Sequence, residues 1–301
     1  MLFCSNYVAY GNFYGTRYTL DKEGVLVISG KGRCEGVPYI KRDSVKKVII
    51  EEGITLVNGF YGCLNLTDVC LATSVDTIGY YGFRGCSSLK NINLQSVCGI
   101  CGGTFANCMS LEEVELSSLK IIGAGLFDGC SSLREVRQIS NIEGIDNYAF
   151  RGCSSLKNIT LTSSCKHIGD GAFIGCGFES ITIPDSVKYD IGYRGETFKD
   201  CTDLKQCTTP HLTSCMFKGR INLREVRITE TSTFWLDAFE DCKKLSSIYI
   251  YQTSVLPVFM SNRNHDLFEY IRENVTFYVP NEMVNKYRET AYWRQMHIKG
   301  I

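Results

Sequence analysis

Nine phenylalanines recur along the chain at nearly constant spacing, and each is followed by the cassette Phe-x-Gly-Cys-Ser-Ser-Leu or a variant of it. The nine residues are Phe60, Phe83, Phe105, Phe127, Phe150, Phe173, Phe198, Phe217 and Phe239, separated by 23, 22, 22, 23, 23, 25, 19 and 22 residues. A period in this range predicts a solenoid of stacked coils. Because a solenoid presents a long repeated surface instead of one deep pocket, the period also disfavours an enzyme.

An apolar alternation follows each cassette, as in the pattern Leu-x-x-Ile-x-Leu at 89–94 and again at 156–161. Period-two spacing with β-branched residues predicts a strand with one buried face. A second apolar pair, such as Val75 and Ile78, precedes the next phenylalanine and predicts a second short buried stretch on the opposite side of the coil. No coil can bury these side chains alone, so each must stack on its neighbours.

These repeats resemble the BspA-type leucine-rich-repeat family, found on surface proteins of gut and oral bacteria and in some parasitic protists. The resemblance covers about residues 45–254. Both flanks are also similar to that family, because Tyr18–Gly30 resembles its N-terminal hairpin and Val275–Pro280 resembles the strand that precedes its closing helix.

The fold implied by this resemblance is a right-handed leucine-rich-repeat solenoid of short, strand-rich coils. We predict an N-terminal β-hairpin cap over 1–44 and about nine coils over 45–255. A C-terminal strand-helix cap over 256–301 should end in a short helix near Glu282–Met296. Irregular spacing around Phe198 predicts a less regular coil between about residues 185 and 220.

The chain carries 32 basic and 32 acidic residues, so no global field favours nucleic acid or an anionic membrane. No stretch of 18 apolar residues could span a membrane. The first ten residues lack the basic and apolar regions of a signal peptide. Two compartments stay open: the resemblance implies a cell-surface or secreted protein, and the alternative is a cytoplasmic one. We expect a monomer.

Eight cysteines occupy the same position of successive coils: Cys63, Cys86, Cys108, Cys130, Cys153, Cys176, Cys201 and Cys242. Cysteine behaves as a small buried residue, so we predict a core ladder of free thiols. Disulfides within such a ladder would need backbone shifts that the repeat does not require. Arg220 replaces the ladder cysteine in one coil.

Two cysteine-containing sets could in principle carry chemistry. Cys98 and Cys101 form the C-x-x-C motif, but they lack a second ligand pair for zinc and fall on the short far-side stretch. Cys165 and His167 could form a nucleophile and base, but Cys165 aligns with buried positions of other coils. We therefore predict no catalytic residue, no metal site and no cofactor.

The outward face of the strand ladder is the surface best able to bind a ligand. Its predicted binding residues are Asn93, Glu115, Arg137, Thr160, Thr182, Arg227, Tyr249 and Tyr251. Tyrosine and arginine are over-represented at binding hot spots, so Arg227, Tyr249 and Tyr251 form the strongest local cluster.

The sequence thus favours non-catalytic binding of a protein or glycan on the ladder face, and the resemblance implies a role in adhesion or host interaction. An intracellular interaction scaffold is the alternative. A thiol-dependent enzyme is a third, less favoured interpretation.

Overall fold

The computed structural model describes residues 7–13, 15–36, 40–187, 196–252, 254–260 and 265–301. The chain divides into two compact units. The first unit comprises Met1–Ile142 with Tyr148–Leu156, and the second comprises Glu143–Asn147 with Lys157–Ile301. Each unit is built from leucine-rich-repeat coils, as the period predicts. The division into two caps and a repeat region stays a prediction.

In the first unit, short strands succeed one another with little helix. They are β1 (Tyr7–Phe13), β2 (Thr16–Asp21), β3 (Val25–Gly30), β4 (Gly32–Cys34), β5 (Lys47–Ile50), β6 (Ile54–Val57), β7 (Asp68–Cys70), β8 (Thr77–Ile78), β9 (Asn91–Ile92), β10 (Gly99–Ile100), β11 (Glu113–Glu115), β12 (Ile121–Ile122) and β13 (Glu135–Arg137). Antiparallel β1, β2 and β3 begin one sheet, which continues in parallel through β5, β7 and β9. A second parallel sheet has the order β10-β8-β6-β4, and β11 pairs with β13 separately.

The second unit has the same two-sided coil. Its elements are β14 (Gly144–Ile145), β15 (His167–Ile168), β16 (Ser180–Thr182), β17 (Gln206–Thr209), β18 (Glu225–Ile228), β19 (Thr233–Trp235), β20 (Ser247–Ile250), β21 (Val258–Met260), α1 (His265–Asn274), β22 (Thr276–Val279), α2 (Val284–Glu289) and β23 (His297–Gly300). Six strands form a parallel sheet in the order β16-β17-β18-β20-β22-β23. On the other side, β14 pairs with β15 and β19 with β21.

The C-terminal segment differs from the expected strand followed by one helix. Helix α1 precedes strand β22 and was not predicted, while α2 is shorter than the expected Glu282–Met296. Strand β23 then adds to the same sheet beyond β22. Trp293 lies buried in this segment, with its ring about perpendicular to those of Phe277 and Tyr287. No helix in the described part of the chain is long and apolar enough to cross a membrane.

A column of stacked phenylalanines forms the centre of each unit. Ring centroids of neighbouring coils lie 5.5–5.9 Å apart between Phe60 and Phe150, and 5.8–6.1 Å apart between Phe173 and Phe239. The planes are within 16° of parallel in every one of these pairs. Such offset stacking adds to the stabilisation from burying the rings.

Backbone conformation explains why glycine occupies the third position of the cassette. The residue two positions after each column phenylalanine has a positive φ, between 59° and 74°. These residues are Gly62, Gly85, Asn107, Gly129, Gly152, Gly175, Asp200, Gly219 and Asp241. Only glycine adopts this conformation freely, and asparagine and aspartate tolerate it better than other residues. The turn that leads into the ladder cysteine therefore selects these three residue types.

The ladder cysteines are buried, and every described cysteine is free of a disulfide. Their thiols also form a hydrogen-bond ladder that the sequence did not predict. The Sγ of Cys108 donates to the carbonyl of Phe83 in the preceding coil at 3.2 Å, and the Sγ of Cys130 donates to that of Phe105 at 3.1 Å. Burial raises the pKa of Cys108 to about 12. Cys108 is thus a protonated donor that joins its coil to the preceding one.

Candidate binding surface

The two cysteine-containing sets have different surroundings. Cys165 is buried, and its Sγ lies 3.5 Å from the backbone carbonyl of His167, to which it donates. Burial raises the pKa of this thiol, which disfavours the reactive thiolate. The Sγ of Cys98 lies 3.6 Å from the carbonyl of Asp76 on the short far-side sheet. No group of three or more His, Cys, Asp or Glu side chains that could hold a metal occurs among the described residues.

The sheet of the second unit brings one cation and three tyrosines together. Its register pairs Arg227 with Tyr249, and Tyr249 with Tyr278. The rings of Tyr249 and Tyr278 are 4.6 Å apart and 11° from parallel. The Cζ of Arg227 lies 5.2 Å from the Tyr249 centroid, and the ring of Tyr251 lies 6.3 Å from it. We call Arg227, Tyr249, Tyr251 and Tyr278 the tyrosine cluster.

Strand spacing explains this geometry. Neighbouring strands lie about 4.8 Å apart, so aromatic side chains at registered positions must stack along the sheet. Tyr249 lies between Arg227 on the preceding strand and Tyr278 on the following one, so its two ring faces are both covered. The ring edges and hydroxyl groups remain on the outer surface, and Tyr251 is 41% exposed.

A fixed charge accompanies the rings. The Nε of Arg227 donates to the carboxylate of Glu225 at 2.8 Å. Partial burial of the guanidinium opposes its charge, but this hydrogen bond outweighs the effect and raises the pKa of Arg227. Partial burial and the nearby Glu225 carboxylate raise the pKa of Tyr249, which keeps its hydroxyl protonated. The cluster therefore combines a positioned cation with a neutral phenol at Tyr249.

The other predicted residues of this unit lie apart from the tyrosine cluster. Thr182 is exposed on β16 and is in register with Thr208, which in turn is in register with Arg227. Thr160 is exposed, but the segment around it forms no strand, which corrects the strand predicted there. Ile159 and Leu161 are only half-buried, so the burial of apolar side chains that stabilises the other strands contributes less here.

In the first unit, the predicted residues line a shallow depression. Asn93, Glu115 and Arg137 line it together with Asn91 and Glu113. It lies where the long sheet ends at β9 and the separate pair β11–β13 begins. Arg137 donates to Glu113 at 2.6 Å, and the Nε of Arg137 lies 2.9 Å from Glu135. The hydrogen bond from Arg137 lowers the pKa of Glu135. The charges on this surface are therefore paired with one another, as Arg227 is with Glu225.

Sequence reasoning missed Tyr278 and Lys299 as members of the ladder face. Lys299 is exposed on β23 and is in register with Tyr278. Both residues lie after the last cassette, so the repeat spacing does not predict which of them face outward on the ladder. The signal available was the alternation Thr-Phe-Tyr-Val at 276–279, in which buried Phe277 and Val279 leave Tyr278 facing outward. The roles of the predicted binding residues stay a prediction.

Comparison with known proteins places these coils among established repeats. The family described as BspA type leucine rich repeat region matches residues 56–177 and 120–246, in six copies. A leucine-rich repeat protein from Bacteroides ovatus is 21% identical, with 99% of each chain covered and a TM-score of 0.54. A leucine rich cell surface protein from Faecalibacterium prausnitzii is 18% identical, covering 89% of this chain and 98% of its own, with a TM-score of 0.39. The pneumococcal vaccine antigen PcpA is 16% identical, with 99% and 100% covered and a TM-score of 0.45. No curated protein matches significantly.

Proposed function

Because the chain belongs to the BspA-type leucine-rich-repeat family, we propose that it is a non-catalytic binding module that works at the cell surface through the ladder face of its second unit. The tyrosine cluster is the observation that carries this proposal. It gathers aromatic surface, three hydroxyl groups and a fixed cation on rigid strands, where ordering them costs little further entropy.

The geometry favours a protein partner over a glycan. A sugar ring stacks on an open aromatic face, whereas Tyr249 has Arg227 on one face and Tyr278 on the other. Ring edges and phenol hydroxyls instead suit the mixed polar and apolar contacts of a protein interface. Interfaces concentrate their binding energy in tyrosine and arginine side chains at the centre of the contact. Glycan binding is the alternative that the test below distinguishes.

The test compares matched variants on two sides of the same unit. Wild-type protein is screened against a biotinylated pool of host surface proteins and against a glycan array, and each hit is measured by biolayer interferometry. Truncating Tyr249 to alanine should weaken binding of a protein hit by about 2 kcal/mol, or roughly 30-fold, as at other hot spots. Lys166→Ala, which changes an exposed residue on the far side, is the control.

Two outcomes would contradict this function. Equal losses from Tyr249→Ala and Lys166→Ala would show that binding does not depend on the tyrosine cluster. Hits confined to the glycan array would replace the protein partner by a glycan. The cell-surface assignment has a separate test, since antibodies against the protein should label intact cells and should not require permeabilisation.

A further inference from the structure

Backbone hydrogen bonds in the cassette turns join successive coils, and among the described residues the joint between Phe198 and Phe217 lacks them. In a regular joint, the amide of Phe83 donates to the carbonyl of Thr104 at 3.0 Å, and that of Gly85 donates to Ala106 at 2.7 Å. The equivalent donors in the seventh coil are the amides of Phe198 and Asp200. Within the described part of the chain, neither amide has an acceptor.

The apolar core remains continuous at this joint. The rings of Phe198 and Phe217 stack at 5.8 Å and are 8° from parallel, as in the other coils. The spacing of 19 residues between them is the shortest in the array. The phenylalanine column has therefore stayed stacked, while two amides of the cassette turn have no acceptor among the described residues, one in buried Phe198 and one in exposed Asp200.

Arg220 occupies this joint in place of the ladder cysteine. It is only 7% exposed, and its Nη1 donates to the carbonyl of Phe198, the same type of acceptor that the ladder thiols use. Its Nε is buried and has no hydrogen-bond acceptor, and no carboxylate of the described residues forms an ion pair with it. A buried charge without a counterion is costly, and buried cations in proteins are therefore normally paired.

An open pocket of about 320 Å³ lies against this guanidinium, at the lower end of the size range of ligand sites. Arg220, Asp200, Lys199, Lys218 and Cys215 are among the residues that line it. The two lysines already have partners in glutamates, at 3.1 Å and 2.8 Å. The exposed Asp200 carboxylate forms no ion pair with the guanidinium. Arg220 is thus the lining cation whose charge is not compensated.

We propose that this pocket binds an oxyanion group, with Arg220 as its counter-charge and the amides of Phe198 and Asp200 as hydrogen-bond donors. Backbone amides beside a residue of positive φ form anion-binding concavities in other proteins, and Asp200 has φ 59°. Charge-assisted hydrogen bonds from arginine suit the oxygens of carboxylate, sulfate and phosphate alike. The pocket therefore selects for acceptor oxygens and negative charge.

The test uses sulfate, phosphate and acetate as probes, each titrated into the full chain at constant ionic strength with chloride as the balancing ion. Amide NMR signals of Phe198 and Asp200 should shift and saturate with at least one probe. Sulfate or phosphate would indicate a tetrahedral group as the natural ligand, and acetate a planar carboxylate.

Arg220→Cys is the informative variant, because it installs the residue that the other coils carry and so preserves the donor to the Phe198 carbonyl. Affinity for the oxyanion should fall by about ten-fold or more, as expected for the loss of a charged donor. Lys244→Ala, which removes an exposed lysine bonded to Asn222, should leave affinity unchanged. The proposal is overturned if no probe gives a saturable shift of the two amides, or if Arg220→Cys binds as tightly as wild type.

Discussion

Replacing Cys108 with alanine should destabilise the protein at neutral pH and cease to do so in alkaline solution. The thiol is fully buried and donates to the carbonyl of Phe83. That carbonyl also accepts the amide of Cys86 at 3.1 Å, so it keeps one partner in the variant. The lost burial is worth about 0.8 kcal/mol, and the cavity and the weak hydrogen bond bring the total to about 1–2 kcal/mol of unfolding free energy.

The pH dependence follows from the raised pKa of Cys108, which burial moves from 9.0 to about 12. Above pH 9 the unfolded chain loses this proton while the folded protein keeps it, so the unfolded state binds fewer protons. Wild-type stability due to Cys108 is therefore complete below pH 9 and falls by about 1.4 kcal/mol per pH unit up to about pH 12. Alanine does not titrate, so the difference between the two proteins should vanish near pH 10 and reverse by about pH 11.

Urea unfolding followed by far-UV circular dichroism measures this difference, with both proteins kept reduced between about pH 7 and pH 11. Titrating groups remote from Cys108 affect wild type and variant equally and cancel in the comparison, whereas the neighbouring thiols of Cys86 and Cys130 interact with Cys108. Cys70→Ala, which removes an exposed thiol, is the matched control. A wild-type advantage that stays constant across this pH range would refute the claim that the folded state holds a protonated, desolvated thiol.

Three further substitutions test separate parts of the fold. Without oxyanions in the buffer, Arg220→Cys should raise the unfolding free energy by about 1–3 kcal/mol, because it removes an uncompensated buried charge; destabilisation in urea would contradict that reasoning. Gly85→Ala should lower the unfolding free energy by about 1–2 kcal/mol. Backbone strain at φ 71° is the only cause, since the added Cβ would come no closer than 3.9 Å to Gly62. An unchanged urea midpoint would contradict this strain. Trp293→Ala should lower the unfolding free energy by about 3–5 kcal/mol, because it leaves a cavity in an aromatic cluster and removes the 3.0 Å hydrogen bond from Nε1 to the carbonyl of Pro257. Calorimetry should show a lower melting temperature, and an unchanged melting temperature would contradict a stabilising role.

The repeat made much of the fold predictable, because each coil repeats the same burial pattern. The phenylalanine spacing predicted the stacked coils, and the structure adds the ring column and the positive φ of the cassette glycine. Asn107, Asp200 and Asp241 show what that position requires, since all three adopt the same positive φ as the glycines. The position requires a positive φ, which is a property of the backbone. Because glycine, asparagine and aspartate all meet this requirement, the sequence shows no single conserved letter there.

Features outside the repeat were harder to predict. Helix α1 is only ten residues long, and its buried residues Leu267 and Ile271 are separated by little more than one turn, so its apolar periodicity is short. Tyr278 belongs to the tyrosine cluster only because β22 pairs with β20 across a helix and a connecting segment. Which strand continues a sheet after the last cassette is a property of the folded chain, and spacing within the sequence does not determine it.

The thiol ladder and Arg220 together explain why a departure from the repeat can mark a site. In a regular coil the neighbours satisfy each polar group, so the surface has few donors left for a ligand. At the short step before Phe217, the amides of Phe198 and Asp200 have no acceptor among the described residues, and the ladder residue carries a charge. Arg220 still supplies the donor that the Phe198 carbonyl receives from a thiol elsewhere, which maintains the stack. Within the described part of the chain, the charge of Arg220 has no counterion, and the amides of Phe198 and Asp200 make no hydrogen bond between these coils. A bound oxyanion would neutralise the charge and accept hydrogen bonds from both amides.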